Sequence, residues 1–403
     1  MGQAYGATTA QQVAQQKEQR SAMKLSCLQE NLKRGLATVS HAVAGKSPIP
    51  VLSNILLSTQ QGQLQLAATN LEIGIKTRIG ARIEEEGAIT VPARLFSDVI
   101  GGLPNDKVTL TLDARTQSVK VECARFTSNI KGTEADEFPA IPTVSHDAQT
   151  ITLPPDVLRH AIEQVAFAAA SDESRPVLTG VLLRIRDNTA ILAAADGFRL
   201  ATRTIALPDS ALPPTLDTPE VIIPARALSE LARIVGDTEG DVKMTVTSGG
   251  GQVLFHTDTV DLVSRLIEGN FPDFERIIPK EHTTRTLLDT QELAKAVKLA
   301  SYFALASQSI VKIVVEPGGE MGPGRMIISA NAAEVGDNQG ELDGMVHGEG
   351  GQLALNVRFL SDALGAVKTS QVALEMQSAQ NPGVLKPVGQ DDYIHIIMPM
   401  TIR

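Results

Sequence analysis

The side chains able to do chemistry in this chain are spaced for holding a partner, not for turning one over. Arginine returns at positions 94, 226 and 358, each time inside one phrase: Val91-Pro92-Ala93-Arg94-Leu95-Phe96-Ser97-Asp98, then Ile223-Pro224-Ala225-Arg226-Ala227-Leu228-Ser229-Glu230, then Leu355-Asn356-Val357-Arg358-Phe359-Leu360-Ser361-Asp362. A guanidinium is a permanent, planar donor that suits a phosphate or a carboxylate, and equally a structural ion pair. Groups that carry out turnover lack their partners here. There is no G-x-x-x-x-G-K-S/T phosphate loop, no H-E-x-x-H, no C-x-x-C and no G-x-S-x-G. His41, His146, His160, His256, His282, His347 and His395 are scattered without metal-ligand spacing. The glycine-rich stretch 318–324 interrupts a hairpin pattern and reads as a turn, and Glu84-Glu85-Glu86 reads as a solvated turn. No catalytic residue, metal ligand or cofactor is expected, which makes an enzyme on a repeated scaffold the weaker hypothesis.

What positions the arginines is a unit of domain size, because the 132-residue offset between successive phrases is far beyond the period of a solenoid. Other landmarks keep their order within each unit. A short strand runs into a helix at Leu25 to Leu36, at Ile151 to Ile162 and at Thr286 to Val297. A hairpin follows, Val51 to Leu57 against Leu64 to Asn70, matched by Val177 to Leu183 against Ala190 to Asp196. The third unit answers with Ile310 to Val315 and Met326 to Asn331. Turn residues at 60–62, 186–188, 248–251 and 316–324 separate alternating apolar runs. A second helix follows each arginine phrase, with Pro92 and Pro224 at its start, where a missing N–H costs little. The expected fold is α+β: three tandem domains, each with two helices covering one face of a sheet. The boundaries read as a mobile tail or mis-set start over 1–22, then domains over 23–147, 148–283 and 284–403. The linkers are short, which suggests a fixed arc.

At 403 residues and 43% hydrophobic, the chain can bury three cores, and with 3% aromatics and no Trp those cores rest on Leu, Ile, Val and Ala. Cys27 and Cys123 form no disulfide framework and are read as core residues in a reducing compartment. No stretch approaches the roughly 20 apolar residues of a membrane span, and no signal-peptide core is present, so a soluble cytoplasmic protein is expected. The net charge of −10 argues on its face against nucleic acid. Its distribution argues the other way. The six helical segments carry Lys33, Arg34, Arg94, Arg159, Arg226, Arg233, Lys295, Lys298, Arg358 and Lys368 against seven carboxylates, a net +3 in an acidic chain. Helices are thus the basic side, and Lys46, in the turn after the first helix, offers one more cation to a phosphate. Ordinary solvated helix surface is the competing reading.

Three repeats, basic helices and the words Ala195-Asp196-Gly197-Phe198-Arg199-Leu200, Gly269-Asn270-Phe271-Pro272-Asp273 and Met398-Pro399-Met400 together resemble the bacterial sliding clamps, the beta subunits of DNA polymerase III. The resemblance covers residues 23–403. It implies a head-to-tail homodimer forming a closed six-domain ring, with helices lining a hole through which double-stranded DNA threads without sequence preference. The implied partners are the polymerase III alpha subunit, other polymerases and a clamp loader. A partner-peptide pocket is implied at Leu178, Gly197, Phe198, Arg199, Leu200, Pro272, Arg276, Ile277, Ile396, Met398, Pro399 and Met400, with Arg358 at its rim. Core packing is the plainer reading of Leu178, Leu200 and Ile277. DNA-facing positions are implied at Lys46, Arg34, Arg94, Arg175 and Arg226. Seam positions are implied at Phe126 and Leu299.

The chain departs from the family pattern at Ala195 and Phe198, where Thr and His are usual, and in its Thr401-Ile402-Arg403 ending. A drug-resistant or otherwise specialised duplicate clamp with an altered pocket is therefore the alternative within the family. Replacing Leu299 with Asp is expected to open the ring by burying an unpaired charge at the seam. Solution mass by scattering checks this, and a variant that stays dimeric on dilution refutes it.

Overall fold

In the computed structural model, residues 23–401 are described apart from 46, 144–149, 209–210, 212–219, 237, 239, 248 and 320–322. Among the described residues, six α-helices form where apolar residues recur at helical spacing. The first helix of each repeat is α1 Gln29–Ser40, α3 Pro155–Val165 and α5 Thr290–Ala304. The second is α2 Ala93–Gly102, α4 Ala225–Val235 and α6 Val357–Ala366. On α1 the buried face is Leu32, Leu36 and Val39; on α5 it is Leu293, Ala296, Val297, Ala300 and Ala304. Pro92 and Pro224 occupy the N-cap positions of α2 and α4. The third copy substitutes Asn356, whose side chain accepts from the Arg358 amide, so the divergent phrase keeps its helix start by a different bond. Within each repeat the two helices pack against each other.

The chain divides into two compact units, Met1–Thr152 with Asp237–Arg265, and Leu153–Gly236 with Leu266–Arg403, so the second repeat contributes to both. In the first unit one sheet runs Arg82–Glu85, Lys24–Leu28, Lys107–Asp113, Ser118–Cys123, Phe126–Lys131. Cys27 and Cys123 lie in its core on either side of Val108, and burial pushes the Cys27 thiol up to about 12. The other sheet runs from Thr133–Glu134 through Ala88–Pro92, Asn54–Gln60, Gln63–Thr69 and Ile73–Gly80 to Val260–Arg265, Gln252–His256, Val242–Val246 and Ile151–Leu153. In the second unit the order is Glu220–Pro224, Gly180–Arg186, Thr189–Ala195, Arg199–Ala206, Tyr393–Ile397, Gly383–Pro387, Gln371–Met376, Thr284–Asp289, Gly336–Gly348, Gly324–Ala332, Ile310–Glu316, Gly351–Asn356.

Two of these pairings join successive repeats, and they are the same joint. Thr77, fifth in Ile73–Gly80, lies opposite Val260, first in Val260–Arg265. Arg203, fifth in Arg199–Ala206, lies opposite Tyr393, first in Tyr393–Ile397. The next amide along also repeats its bond: Arg78 N–H donates to Thr259 O at 3.0 Å, and Thr204 N–H to Asp392 O at 2.8 Å. Each joint carries an arginine–carboxylate pair, Arg78 with Asp261 and Arg203 with Asp392.

The hairpins turn where expected, with left-handed φ at Gln61 and Gly62 and at Asp187 and Asn188. Two expectations are corrected. Val51 to Ser53 and Val177 to Thr179 belong to 3₁₀ turns, not strands, because Pro50 and Pro176 fix φ and supply no N–H to a ladder. Leu178 therefore sits in a turn, buried, rather than on a strand. Lys368 lies past the end of α6, which lowers the net charge of the helices to +2.

His395 is fully buried in the second unit, stacked on Phe167 at 5.5 Å between centroids, with neither ring nitrogen partnered within the protein. Burial pulls its pKa down to about 3, and the nearby Arg199 charge acts in the same direction. The unfolded chain, titrating near 6.5, thus binds the proton first. Stability from this group is fully present above about pH 6.5 and is lost as pH falls toward 3, at a limiting slope of about 1.4 kcal/mol per pH unit. His395→Phe is expected to flatten the fall in urea midpoint between pH 7 and pH 5, read from unfolding curves of both proteins.

Candidate partner groove

The groove is built on a tight turn in the second unit. Asp196, Gly197 and Phe198 connect Thr189–Ala195 to Arg199–Ala206, and Gly197 takes φ +93°, which other residues adopt at a cost. A side chain there would also meet the Arg175 guanidinium at 2.9 Å. The Asp196 carboxylate organises the turn by accepting from the Phe198 and Arg199 amides at 2.8 and 3.0 Å. Arg175 Nη2 donates to Asp196 O at 3.2 Å, so this residue, expected to face DNA, lies across the turn. Held on both sides, the backbone leaves the Phe198 ring 58% exposed.

The C-terminal segment forms the adjoining wall. Met398 N–H donates to Phe198 O and Met400 N–H to Ala354 O, each at 2.8 Å, which lays residues 398–400 between the turn and the Gly351–Asn356 strand. Beneath lies one apolar cluster containing Leu178, Leu200, Phe271, Phe274 and Ile396. Core packing describes Leu178, Leu200 and Ile396 well. Ile277 does not follow that description, being 42% exposed, and Met398 is 38% exposed. Pro272 and Arg276 are exposed on the same loop as Ile277, with Arg276 paired to Asp273 at 2.8 Å. Pro399 and Met400 are half-buried. The sequence reading missed Arg184, which anchors this loop: its guanidinium pairs with Glu220 at 2.9 Å and Glu275 at 3.0 Å and sits 5.6 Å from the Phe274 ring centroid. A lone arginine on a strand offers no pattern by which to find it.

Phe198, Ile277 and Met398 thus expose large apolar side chains around a buried apolar cluster. Exposed apolar side chains over an apolar cluster are the chemistry that large apolar anchors of a peptide would match. Among the described residues no group of three or more His, Cys, Asp and Glu side chains could hold a metal ion.

Other expected positions lie elsewhere. Arg34 is exposed on α1 and donates to Asn31, Arg94 is exposed on α2 beside Asp98, and Arg226 and Arg358 are exposed in the first turns of α4 and α6. Lys46 lies outside the described residues. Phe126, on the last strand of its sheet, and Leu299, on α5, are large exposed apolar residues. Tyr302 and Leu305 extend the Leu299 stripe at three-residue spacing.

Three family profiles match in tandem: the N-terminal domain of the DNA polymerase III beta subunit over residues 23–142, its central domain over 152–273 and its C-terminal domain over 275–401. A beta sliding clamp of Synechococcus elongatus is 31% identical over 384 residues, covering 94% of this chain and all of that protein. One from Staphylococcus aureus is 31% identical over 369 residues, covering 89% and 94%. The crystal structure of a DNA polymerase sliding clamp from Bacillus subtilis superimposes with a TM-score of 0.85 at 26% identity, covering 94% of this chain and all of that one. The beta subunit structure from Thermotoga maritima gives the same TM-score and coverage at 25% identity. With every repeat matched in order and relatives aligned from end to end, the chain belongs to the DNA polymerase III beta subunit family, the beta sliding clamps.

Proposed function

We propose that two copies of this chain close head to tail into a ring around duplex DNA, and that the Phe198 groove receives apolar peptide anchors from the polymerase III alpha subunit, other polymerases and the clamp loader. The chain is a beta sliding clamp that confers processivity and is not itself an enzyme. A ring that surrounds DNA need not grip it, so helices of modest positive charge in an acidic protein suit a duplex that must slide. A polymerase tied to such a ring rebinds at an effective concentration set by the tether.

The observation that carries ring closure is the repeated joint. In both joints inside the chain, the fourth-strand type of one repeat pairs with the last strand of the next. The third repeat's equivalent, Gly336–Gly348, bonds Thr284–Asp289 only through residues 345–348, leaving 336–344 with one open edge. The first repeat's counterpart of those last strands, Phe126–Lys131, ends its sheet. Open edges of this kind invite pairing with another chain. Carrying the common register over sets Phe126 opposite Gly340 and Ile130 opposite Gly336, with the Glu341 amide donating to Arg125 O. A Cβ on Gly340 would stand 3.7 Å from Ala296 on α5, so the bulk of Phe126 meets glycine there, one helical turn from Leu299. The same register brings Arg125 beside Glu341, a carboxylate that already pairs with Arg325 at 2.8 Å and that would gain a second guanidinium.

Arg125→Glu is expected to weaken the dimer at least about tenfold, and Glu341→Gln added to it to recover part of the loss by removing the repulsion. Mass measured on dilution checks both, and an Arg125→Glu protein as dimeric as the parent rejects the register. In the groove, Ile277→Asp is expected to weaken a fluorescent Gln-Leu-x-Leu-Phe peptide about tenfold or more while leaving the thermal midpoint unchanged, because the side chain is already exposed. Anisotropy titration reads the first effect and thermal unfolding the second.

A further inference from the structure

We propose that Asp362 on α6 is a positioning residue for the groove, acting through Arg199; the proposal rests on the groove reading above. Arg199 is expected by resemblance to line the pocket, yet its side chain is only 10% exposed. Three of its five N–H donors are engaged: Nε to Asp196 Oδ2 at 3.0 Å, Nη1 to Asp362 Oδ2 at 2.6 Å and Nη2 to the Phe167 carbonyl at 2.8 Å. The guanidinium carbon lies 4.5 Å from the Phe359 ring centroid and 5.4 Å from that of Phe167. A planar fork with three donors spent and aromatic neighbours has little left for a peptide.

What Arg199 holds is the turn. The carboxylate it binds through Nε is the Asp196 group that accepts from the Phe198 and Arg199 amides. The connection therefore runs from Asp362 to Arg199 to Asp196 to the exposed Phe198 ring. Phe359 and Asp362 are three residues apart and so share a face of α6, which supplies both an aromatic surface and an anion to one guanidinium. The turn belongs to the second repeat and α6 to the third. A cleft of about 300 Å³ between α3 and α6, lined by Gln164, Phe167 and Asp362 among others, borders this clasp, so the Asp362 carboxylate is packed on one side only and is 47% exposed. Its hold on Arg199 is one charge-assisted bond from Nη1 to Oδ2, and an asparagine there would keep an acceptor but lose the charge.

The test is a double-mutant cycle on the full chain, read by anisotropy of a labelled Gln-Leu-x-Leu-Phe peptide. Asp362→Asn is expected to weaken binding about five- to tenfold, with Asp362→Glu recovering part of the loss. Arg199→Met is expected to lose as much or more, and the Asp362→Asn, Arg199→Met protein no more than Arg199→Met alone. Phe359→Leu, which keeps an apolar side chain on α6, is expected to lose affinity in the same direction. A direct and independent peptide contact by Arg199 would instead make the two losses multiply, and that result overturns the proposal, as does parental affinity in Asp362→Asn. A parental protein that fails to bind the peptide overturns the groove reading and this inference together, whereas a parent that binds while ignoring Asp362 overturns the inference alone.

Discussion

The structure depends on a constraint of sheets: each repeat ends one sheet on an edge that it cannot cover itself. Unpaired N–H and C=O groups along such an edge attract whatever strand is near. Within the first unit, Ile73–Gly80 is covered by Val260–Arg265; within the second, Arg199–Ala206 is covered by Tyr393–Ile397. The two joints share register, a following backbone bond and an arginine–carboxylate pair, although their side chains differ. Where backbone geometry is kept and side chains are free to vary, the pairing is a property of the repeat. The proposed ring extends that property to Gly336–Gly348 and Phe126–Lys131, where a slip of one residue would turn every side chain to the wrong face.

The groove is a consequence of the second joint. Pairing Tyr393–Ile397 with Arg199–Ala206 delivers the chain's last residues beside the Gly197 turn, where Met398 bonds to Phe198 O. The C-terminal wall and the turn then come from segments about 200 residues apart in sequence, yet one ladder fixes their spacing. Rigid backbone beneath flexible Met side chains gives a surface that is preorganised in its floor and adaptable at its walls. That combination suits the proposed docking of several partners in turn.

Much of the fold was legible because it is local. Helices announced themselves by period, as on α5, and hairpins by the residues that take left-handed φ, Gln61-Gly62 and Asp187-Asn188. The repeat made the legible parts count three times. Leu178 was misplaced because an apolar run after Pro176 looks like a strand until the missing N–H is weighed. The clasp on Arg199 could not be read at all. Its partners Phe167 and Asp362 lie 32 and 163 residues away, and nothing in their spacing marks them. Asp362 does stand in the recurring phrase, but Asp98 and Glu230 hold the same place there, so the position looked like ordinary helix surface.

That last point separates two kinds of conservation within one chain. Asp98 sits 4.0 Å from Arg94 on an exposed helix face, and Glu230 pairs with Arg233 at 3.1 Å, both within their own helices. The Asp98 pair is exposed and contributes little to stability, whereas Glu230 is itself buried against its own repeat. Asp362 has instead turned to a guanidinium from another repeat, one that is nearly buried and already charged. Removing a partner from such a cation costs more than the pair itself contributes, because the charge stays behind. One position of the repeated phrase is thus exposed at Asp98, buried at Glu230 and turned toward another repeat at Asp362, which is the arrangement the proposed clasp uses.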